Sequence, residues 1–481
     1  MSFTATRAQD PFELSDEARG ALAQRVELAV ERSRRESAPA LVAVTIALDP
    51  EIDLSAAVLH ARRADDRFFC FEQPDRDGFA LAGLGCAIAL ESRGAGRFRE
   101  VAVRARDLGR RAFVDDPGRD PERPAAAGPV FVGGFAFAEN GGGTPEWSSL
   151  APASLVLPEI SFARHRGQAR MTVSVIVHPD RAHALQRTLD RIAELEAAHM
   201  PLIDPDPVLR TRVASAAPPA HYEQAVERAV ERIRAGELQK VVLAREVRAH
   251  SATAHDPGAV LGALRDAFPA CFCWCVGTPE LAFVGASPEL LVRRDGARAQ
   301  TVALAGTTRR SADPAVDDHL GEQLLRSDKD REEQAIVVRR IQRTLEPVSV
   351  WVTAADDPVL VKVQNVQHLA TPIRAQLADP LPAVELAGML LPTPAVGGEP
   401  REAALPLIPA LEGLDRGWYA GAVGWTDLSE DGEFCVALRC ALLRGEIAHL
   451  YAGCGIVRDS LASEELAESE VKLEALLPLL S

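Results

Sequence analysis

Two short acidic stretches, Asp328-Lys329-Asp330-Arg331-Glu332-Glu333 and Ser463-Glu464-Glu465-Leu466-Ala467-Glu468, constrain how this chain folds more than any other feature. Side chains three or four apart in a helix share one face. Asp330 with Glu333, and Glu465 with Glu468, are therefore carboxylate pairs each aimed one way, with Lys472 one turn beyond the second. Carboxylates gathered on a face need water, a base or a cation. Two such helices brought side by side hold a hard cation between them. On spacing alone, two solvated helix faces remain the alternative.

Hydrophobic residues fill 47% of the 481 positions, enough for one large core or two ordinary ones. A net charge of -16 argues against nucleic acid, which is held by clustered Lys and Arg, and for a small-molecule partner. The start has no basic segment leading into an apolar run, and no stretch approaches the span of a bilayer. The expectation is a cytoplasmic protein with no membrane partner, monomeric by default. Cys271, Cys273 and Cys275 alternate as a strand does, and no C-x-x-C spacing occurs, so the cysteines read as buried thiols.

Only four of the 53 basic residues are lysine, at 240, 329, 362 and 472. Arginine serves wherever a plain positive charge suffices. A retained lysine suggests a need to lose a proton or to present a compact charge.

Residues 1–212 read as an α+β portion. A helix from Ser15 to Arg34 precedes a strand at Ala40–Ala47, a hairpin pairs 67–73 with 78–85, loops fill 115–124 and 139–145, and a helix at 183–199 follows the strand Met171–Val177. Five prolines between 201 and 219 mark a boundary, and residues 213–481 form the second portion. There the pattern predicts strands at 239–245, 281–285, 300–305, 359–363, 419–425, 433–443 and 447–453, the last two joined as a hairpin. Helices are predicted at 221–235, at 327–345 behind a Ser327-x-x-Asp330 cap, and at 463–480.

Lys240 stands near the start of an apolar strand, in step with Val242 and Ala244. A lysine facing a low-dielectric interior binds its proton less tightly and can act as a base, while snorkelling to a sheet edge is the alternative. Glu289 follows the Gly285-Ala286-Ser287-Pro288 turn, where burial would make it a general acid. A base and an acid from separate strand ends suit addition of water with departure of a hydroxyl. Gly306-Thr307 and Gly453-Cys454-Gly455 are glycine-bearing strand ends where backbone N–H groups can meet an anion. Arg439, inside Val436-Ala437-Leu438-Arg439-Cys440-Ala441-Leu442, requires a partner such as a carboxylate, and His368 reads as a polar substrate contact or a satisfied core histidine.

Together the strings LQKVVLAR, FVGASPEL, LAGT, DKDREEQ, NVQHLATPI, YAGAVGW, VALRCA, YAGCGIV and ESEVKL closely resemble the chorismate-utilising enzymes. That family comprises isochorismate synthases, salicylate synthases, anthranilate synthase large subunits and aminodeoxychorismate synthases. The resemblance implies an α+β fold of two packed antiparallel sheets flanked by helices, with the N-terminal portion completing the sandwich. It also implies a Mg²⁺-dependent reaction on chorismate. Glu333 and Glu468 then correspond to direct metal ligands, supported by Asp330 and Glu465. Lys240 corresponds to the lysine that activates water for attack at C2, and Glu289 to the acid that protonates the departing C4 hydroxyl. Arg439, Tyr419 and the Gly455 backbone correspond to the grip on the enolpyruvyl carboxylate, and His368, Thr307 and Lys472 to contacts near the ring carboxylate and metal.

Within the family, Lys240 favours water as nucleophile, and Ala305 replaces the nucleophilic lysine of one type of aminodeoxychorismate synthase. Ala395 stands where salicylate synthases carry Thr. Isochorismate synthase is therefore the expected activity, serving menaquinone or siderophore biosynthesis, with salicylate synthase as the alternative. Leu391 and Gln334 depart from the family's usual residues.

Overall fold

The computed structural model describes residues 11–115, 124–178, 184–203, 211–364 and 366–480. Most of the loop at 115–124, the middle of the proline-rich segment, the first residue of the helix at 183–199 and Asn365 lie outside them.

Strand side chains alternate between two faces, so one strand can feed two cores. In Phe68–Gln73, Phe69 and Phe71 enter one core, and Phe68 and Cys70 another. In Phe272–Gly277, Phe272 and Trp274 join the first, and Cys273 and Cys275, with nearby Cys271, join the second. The alternating cysteines thus supply one face of a core, and all are free thiols.

The first core lies between two antiparallel sheets, of twelve and ten strands among the described residues. The second lies between the outer face of the larger sheet and the helices Asp16–Glu36, Leu54–Ala61 and Pro257–Ala267. Full burial of side chains such as Phe283 and Trp274 contributes about 1.5–3 kcal/mol each. Both halves of the chain enter both sheets. Phe68–Gln73 pairs with Phe272–Gly277 in the larger, and Val130–Phe135 with Ala422–Asp427 in the smaller.

The helices follow their signals closely at their starts. Ser15 caps Asp16–Glu36 by accepting from the Ala18 N–H, and Ser327 caps Asp328–Leu345 by accepting from the Asp330 N–H at 3.3 Å. Their ends differ from expectation. The helix expected to reach His199 ends at Ile192, where i→i−3 bonds from the Glu194 and Leu195 N–H groups tighten the chain into a turn. The C-terminal helix is split into Ala462–Leu473 and Leu477–Leu480, with a turn closed by the Leu476 N–H on the Leu473 carbonyl.

The largest departure concerns 433–443, expected as one strand. It is two strands in different sheets: Gly432–Val436 pairs with Leu290–Asp295 in the smaller, and Cys440–Arg444 pairs with Ala282–Ser287 in the larger. The chain therefore crosses between sheets twice side by side, once at Pro288-Glu289 and once at 437–439. The two crossings are laced by the Ala286 N–H on the Arg439 carbonyl and the Val436 N–H on the Glu289 carbonyl, both 3.0 Å. Arg439 makes the bend with a left-handed φ of 49°. Arg439 is thus at a seam and not in a central strand. Tyr419 likewise precedes its expected strand, which begins at Ala422, because the Tyr419 N–H closes a turn on the Arg416 carbonyl. Among the described residues no helix is long and apolar enough to cross a membrane.

Candidate functional site

The two crossings, the glycine-bearing strand ends and the two acidic helices converge on one cavity of about 920 Å³, counted to its open mouth. Helix Asp328–Leu345 packs on strands Arg298–Arg309 and Val366–Leu377, and helix Ala462–Leu473 packs on strand Ile447–Ile456. The buried Gln334 side chain fixes the first helix in place, donating to the Ala303 carbonyl and the Thr371 hydroxyl, each at 2.9 Å. This is the work of one of the two residues that depart from the family's pattern. Glu289, Thr307, Asp330, Glu333, His368, Tyr419, Arg439, Gly455, Glu465, Glu468 and Lys472 all line the cavity.

Lys240 stands just behind that wall, 1% exposed, with Nζ 2.7 Å from a Glu333 carboxylate oxygen. Gly455 makes the contact possible. A Cβ there would lie 2.5 Å from Glu333 Oε1 and 2.8 Å from Lys240 Cε. Beside the backbone N–H that the sequence pattern offers to an anion, this close approach is a second, steric reason for glycine at 455. Gly455→Ala is accordingly expected to push Lys240 and Glu333 apart and lower kcat about 10²-fold with little change in Tm. Steady-state kinetics beside a circular dichroism melt would check this, and wild-type kcat would refute it.

Glu289 is 3% exposed at the seam. Burial raises its affinity for a proton more than the Lys240 charge and the Thr393 hydroxyl lower it, and its pKa is pushed up to about 8. At neutral pH it holds a proton. The buried His368 is driven the other way, to about 3, by burial and by the charges of Arg439 and Lys472. Its neutral ring accepts from Arg439 Nη2 at Nε2 (3.2 Å), so Nδ1 carries the proton toward the Gly306 carbonyl (3.3 Å), with the Thr307 hydroxyl 3.0 Å away. His368 therefore holds Arg439 at the cavity wall.

The carboxylates are held in distinct ways. Glu468 lies 2.7 Å from Lys472 Nζ. Burial alone would raise its pKa, but the Lys472, Lys329 and Arg439 charges keep it below the usual range. Lys472 also donates to the Gly453 carbonyl at 2.9 Å, and although burial alone would lower its pKa, the neighbouring Glu468 carboxylate outweighs burial and raises it. Glu465 is pushed up to about 7 by burial and by the Glu468 charge, with Lys329 Nζ at 3.8 Å. Asp330 is raised, chiefly by burial, and accepts from the Ser327 hydroxyl.

Among the described residues, the group with ligand atoms mutually within 4.8 Å is Glu465, Glu468 and Cys454, whose thiol is held protonated by burial. Glu333 instead faces Lys240. Glu465 and Asp330, whose proton affinity is raised, crowd Glu468 in a site that a divalent cation would relieve, and the carboxylate oxygens there suit a hard one.

Two cavity residues, Lys329 and Tyr451, and the neighbouring Cys454 escaped the sequence reading as site residues. Lys329 was in view as one of four lysines, and three of those four, Lys240, Lys329 and Lys472, gather here, while Lys362 pairs with Asp317 and Asp318 elsewhere. Cys454 lay hidden between two glycines. Tyr451, stacked on Tyr419 at 5.2 Å between ring centroids, has a buried hydroxyl with no partner among the described residues, and nothing in its strand pattern marked it.

Known proteins place this geometry. The chain is 36% identical over 458 residues to the salicylate biosynthesis isochorismate synthase of Pseudomonas aeruginosa, covering 95% of this chain and 93% of that protein. It is 31% identical over 415 residues to the isochorismate synthase MenF of Bacillus subtilis, covering 86% and 87%. The solved structure of the menaquinone-specific isochorismate synthase MenF from Escherichia coli superposes with a TM-score of 0.78 at 28% identity, covering 95% of this chain and all of the other. A family model described as chorismate binding enzyme matches residues 26–481, and the chain belongs to that family.

Proposed function

We propose that this protein is an isochorismate synthase: it isomerises chorismate by adding water at C2 and expelling the C4 hydroxyl. The observation that carries the reading is a Glu289 that holds its proton to about pH 8, within charge reach of Lys240, at one cavity. The relatives' names agree with it.

The residues divide the work by chemistry. Chorismate carries two carboxylates, and the cavity's cations include Arg439 at the seam and Lys472 on the C-terminal helix, with Lys329 on the facing helix. Arg439, steadied by His368, grips the enolpyruvyl carboxylate together with Tyr419 and the Gly455 backbone. Thr307, His368 and Lys472 face the ring carboxylate. Lys240 takes the proton of the attacking water as a neutral amine, for which its ion pair with Glu333 must first open and its ammonium proton be given up to solvent. Glu289 gives its proton to the leaving hydroxyl, so water is consumed at C2 and released at C4, and no net oxidant or co-substrate is needed.

Glu333 and Glu468 are assigned as ligands of Mg²⁺, with Asp330 and Glu465 supporting them. When bound, the ion supplies the positive charge that anchors the ring carboxylate and neutralises the crowded glutamates. Chelation by EDTA should abolish turnover and added Mg²⁺ should restore it, and full activity in EDTA would remove the metal from the account.

Ala395 lines the cavity where salicylate synthases carry Thr, which favours stopping at isochorismate. With chorismate and Mg²⁺, a lactate dehydrogenase-coupled assay should detect no pyruvate. Sustained pyruvate release without an added lyase would establish salicylate synthesis instead.

A further inference from the structure

Behind the segment 391–397, whose Ala395 and Val396 face the catalytic cavity, a second and wider groove holds about 1630 Å³ of space counted to its open mouth. Phe98, Phe137, Leu391, Leu405, Pro406 and Leu414 give it apolar walls. Three arginines also line it, Arg97, Arg401 and Arg416, the last of them already paired with Glu412.

Arg97 is 6% exposed. Its Nη1 and Nη2 donate to the carbonyls of Gly94 (3.3 Å) and Ala136 (3.1 Å), and its buried Nε–H has no acceptor among the described residues. Arg401 is half-buried, close enough that the two positive charges act on one another. Glu139 acts on Arg97 by charge, and Glu402 on Arg401, but among the described residues no carboxylate is in hydrogen-bond contact with either guanidinium. Asp415 accepts from the backbone N–H groups of Gly142, Gly143 and Gly417, Glu412 is paired with Arg416, and Glu139 stands on the exposed rim.

A buried guanidinium N–H without an acceptor costs free energy, and an anion in contact with the guanidinium offsets that cost. We propose that this groove is a binding site, separate from the catalytic cavity, for a small amphipathic carboxylate, a molecule with one carboxylate and an aromatic or aliphatic body. The carboxylate pairs with Arg97 and Arg401, and the body lies along the phenylalanine, leucine and proline walls. Burial, which already pushes the Arg97 guanidinium down to about 10, accords with a charge awaiting a partner.

The test is an NMR titration of the full chain with 3-phenylpropionate, and with 3-phenylpropan-1-ol as the uncharged probe. Both are repeated on the Lys240→Ala protein saturated with chorismate, which fills the catalytic cavity. The expected result is saturable binding of the acid that chorismate does not displace. Binding should weaken about tenfold or more for the alcohol and for Arg401→Glu, a half-exposed position where the fold tolerates the change. Arg97→Gln should act the same way. Displacement by chorismate, equal binding to Arg401→Glu, or no saturation up to about 10 mM would overturn the site.

Discussion

Glu289→Gln is expected to lower kcat about 10²–10⁴-fold at neutral pH while the protein remains folded. Gln keeps the shape of the carboxyl group but has no proton to give the departing hydroxyl. The wild-type enzyme should lose kcat/KM on the alkaline side with an apparent pKa near 8, because the reactive form is the protonated one and burial holds the proton to about that pH. The variant's residual rate should lack this descent. Stability should follow the same trend, falling with rising pH more in wild type than in the variant. In the folded state Glu289 keeps its proton up to about 8, whereas in the unfolded chain it loses it near the ordinary glutamate value of about 4.3. Its contribution to wild-type stability is therefore complete below the lower value and is lost as pH rises through the higher. Glu289→Gln should accordingly lose less stability than wild type between pH 5 and about 9 in parallel denaturant titrations. Wild-type-like turnover in the variant, or an unchanged alkaline limb, would remove Glu289 as the acid.

Lys240→Ala should cost a similar 10²–10⁴-fold in kcat, but that variant also strips Glu333 of its 2.7 Å partner. The sharper comparison is Lys240→Arg. Arginine restores a positive charge for Glu333 but cannot act as a base, since it does not give up its proton in proteins. If Lys240 takes the proton from water, both variants should be equally inactive. An active Lys240→Arg would mean that position 240 contributes charge alone. Circular dichroism melts of each variant keep loss of fold from being mistaken for loss of chemistry.

Much of the site was legible in the sequence for local reasons. Ser327 announced its helix because a capping hydroxyl acts within four residues, and the acidic pairs followed from helical spacing alone. Lysine scarcity singled out four lysines, of which Lys329 and Lys472 line one cavity with Lys240 just behind its wall, while Lys362 lies elsewhere. The seam was not legible. The run from Val436 to Leu442 carries no glycine or proline, so nothing local marks the bend at Arg439. That bend is imposed by the partners: Gly432–Val436 and Cys440–Arg444 pair with strands of different sheets. The matching crossing one strand over was easier to see, because Pro288 interrupts the pattern there. Nor could spacing show that Glu333 faces Lys240 while Glu465 and Glu468 approach Cys454, since those contacts join segments far apart in sequence.

The account rests on water entering at C2 while the enolpyruvyl group stays in place. Proton NMR of chorismate incubated with the protein and Mg²⁺ reads that directly. The resonances of isochorismate should grow in to an equilibrium with chorismate, with the enolpyruvyl methylene signals retained. Unchanged chorismate, or salicylate accumulating together with pyruvate, would contradict it.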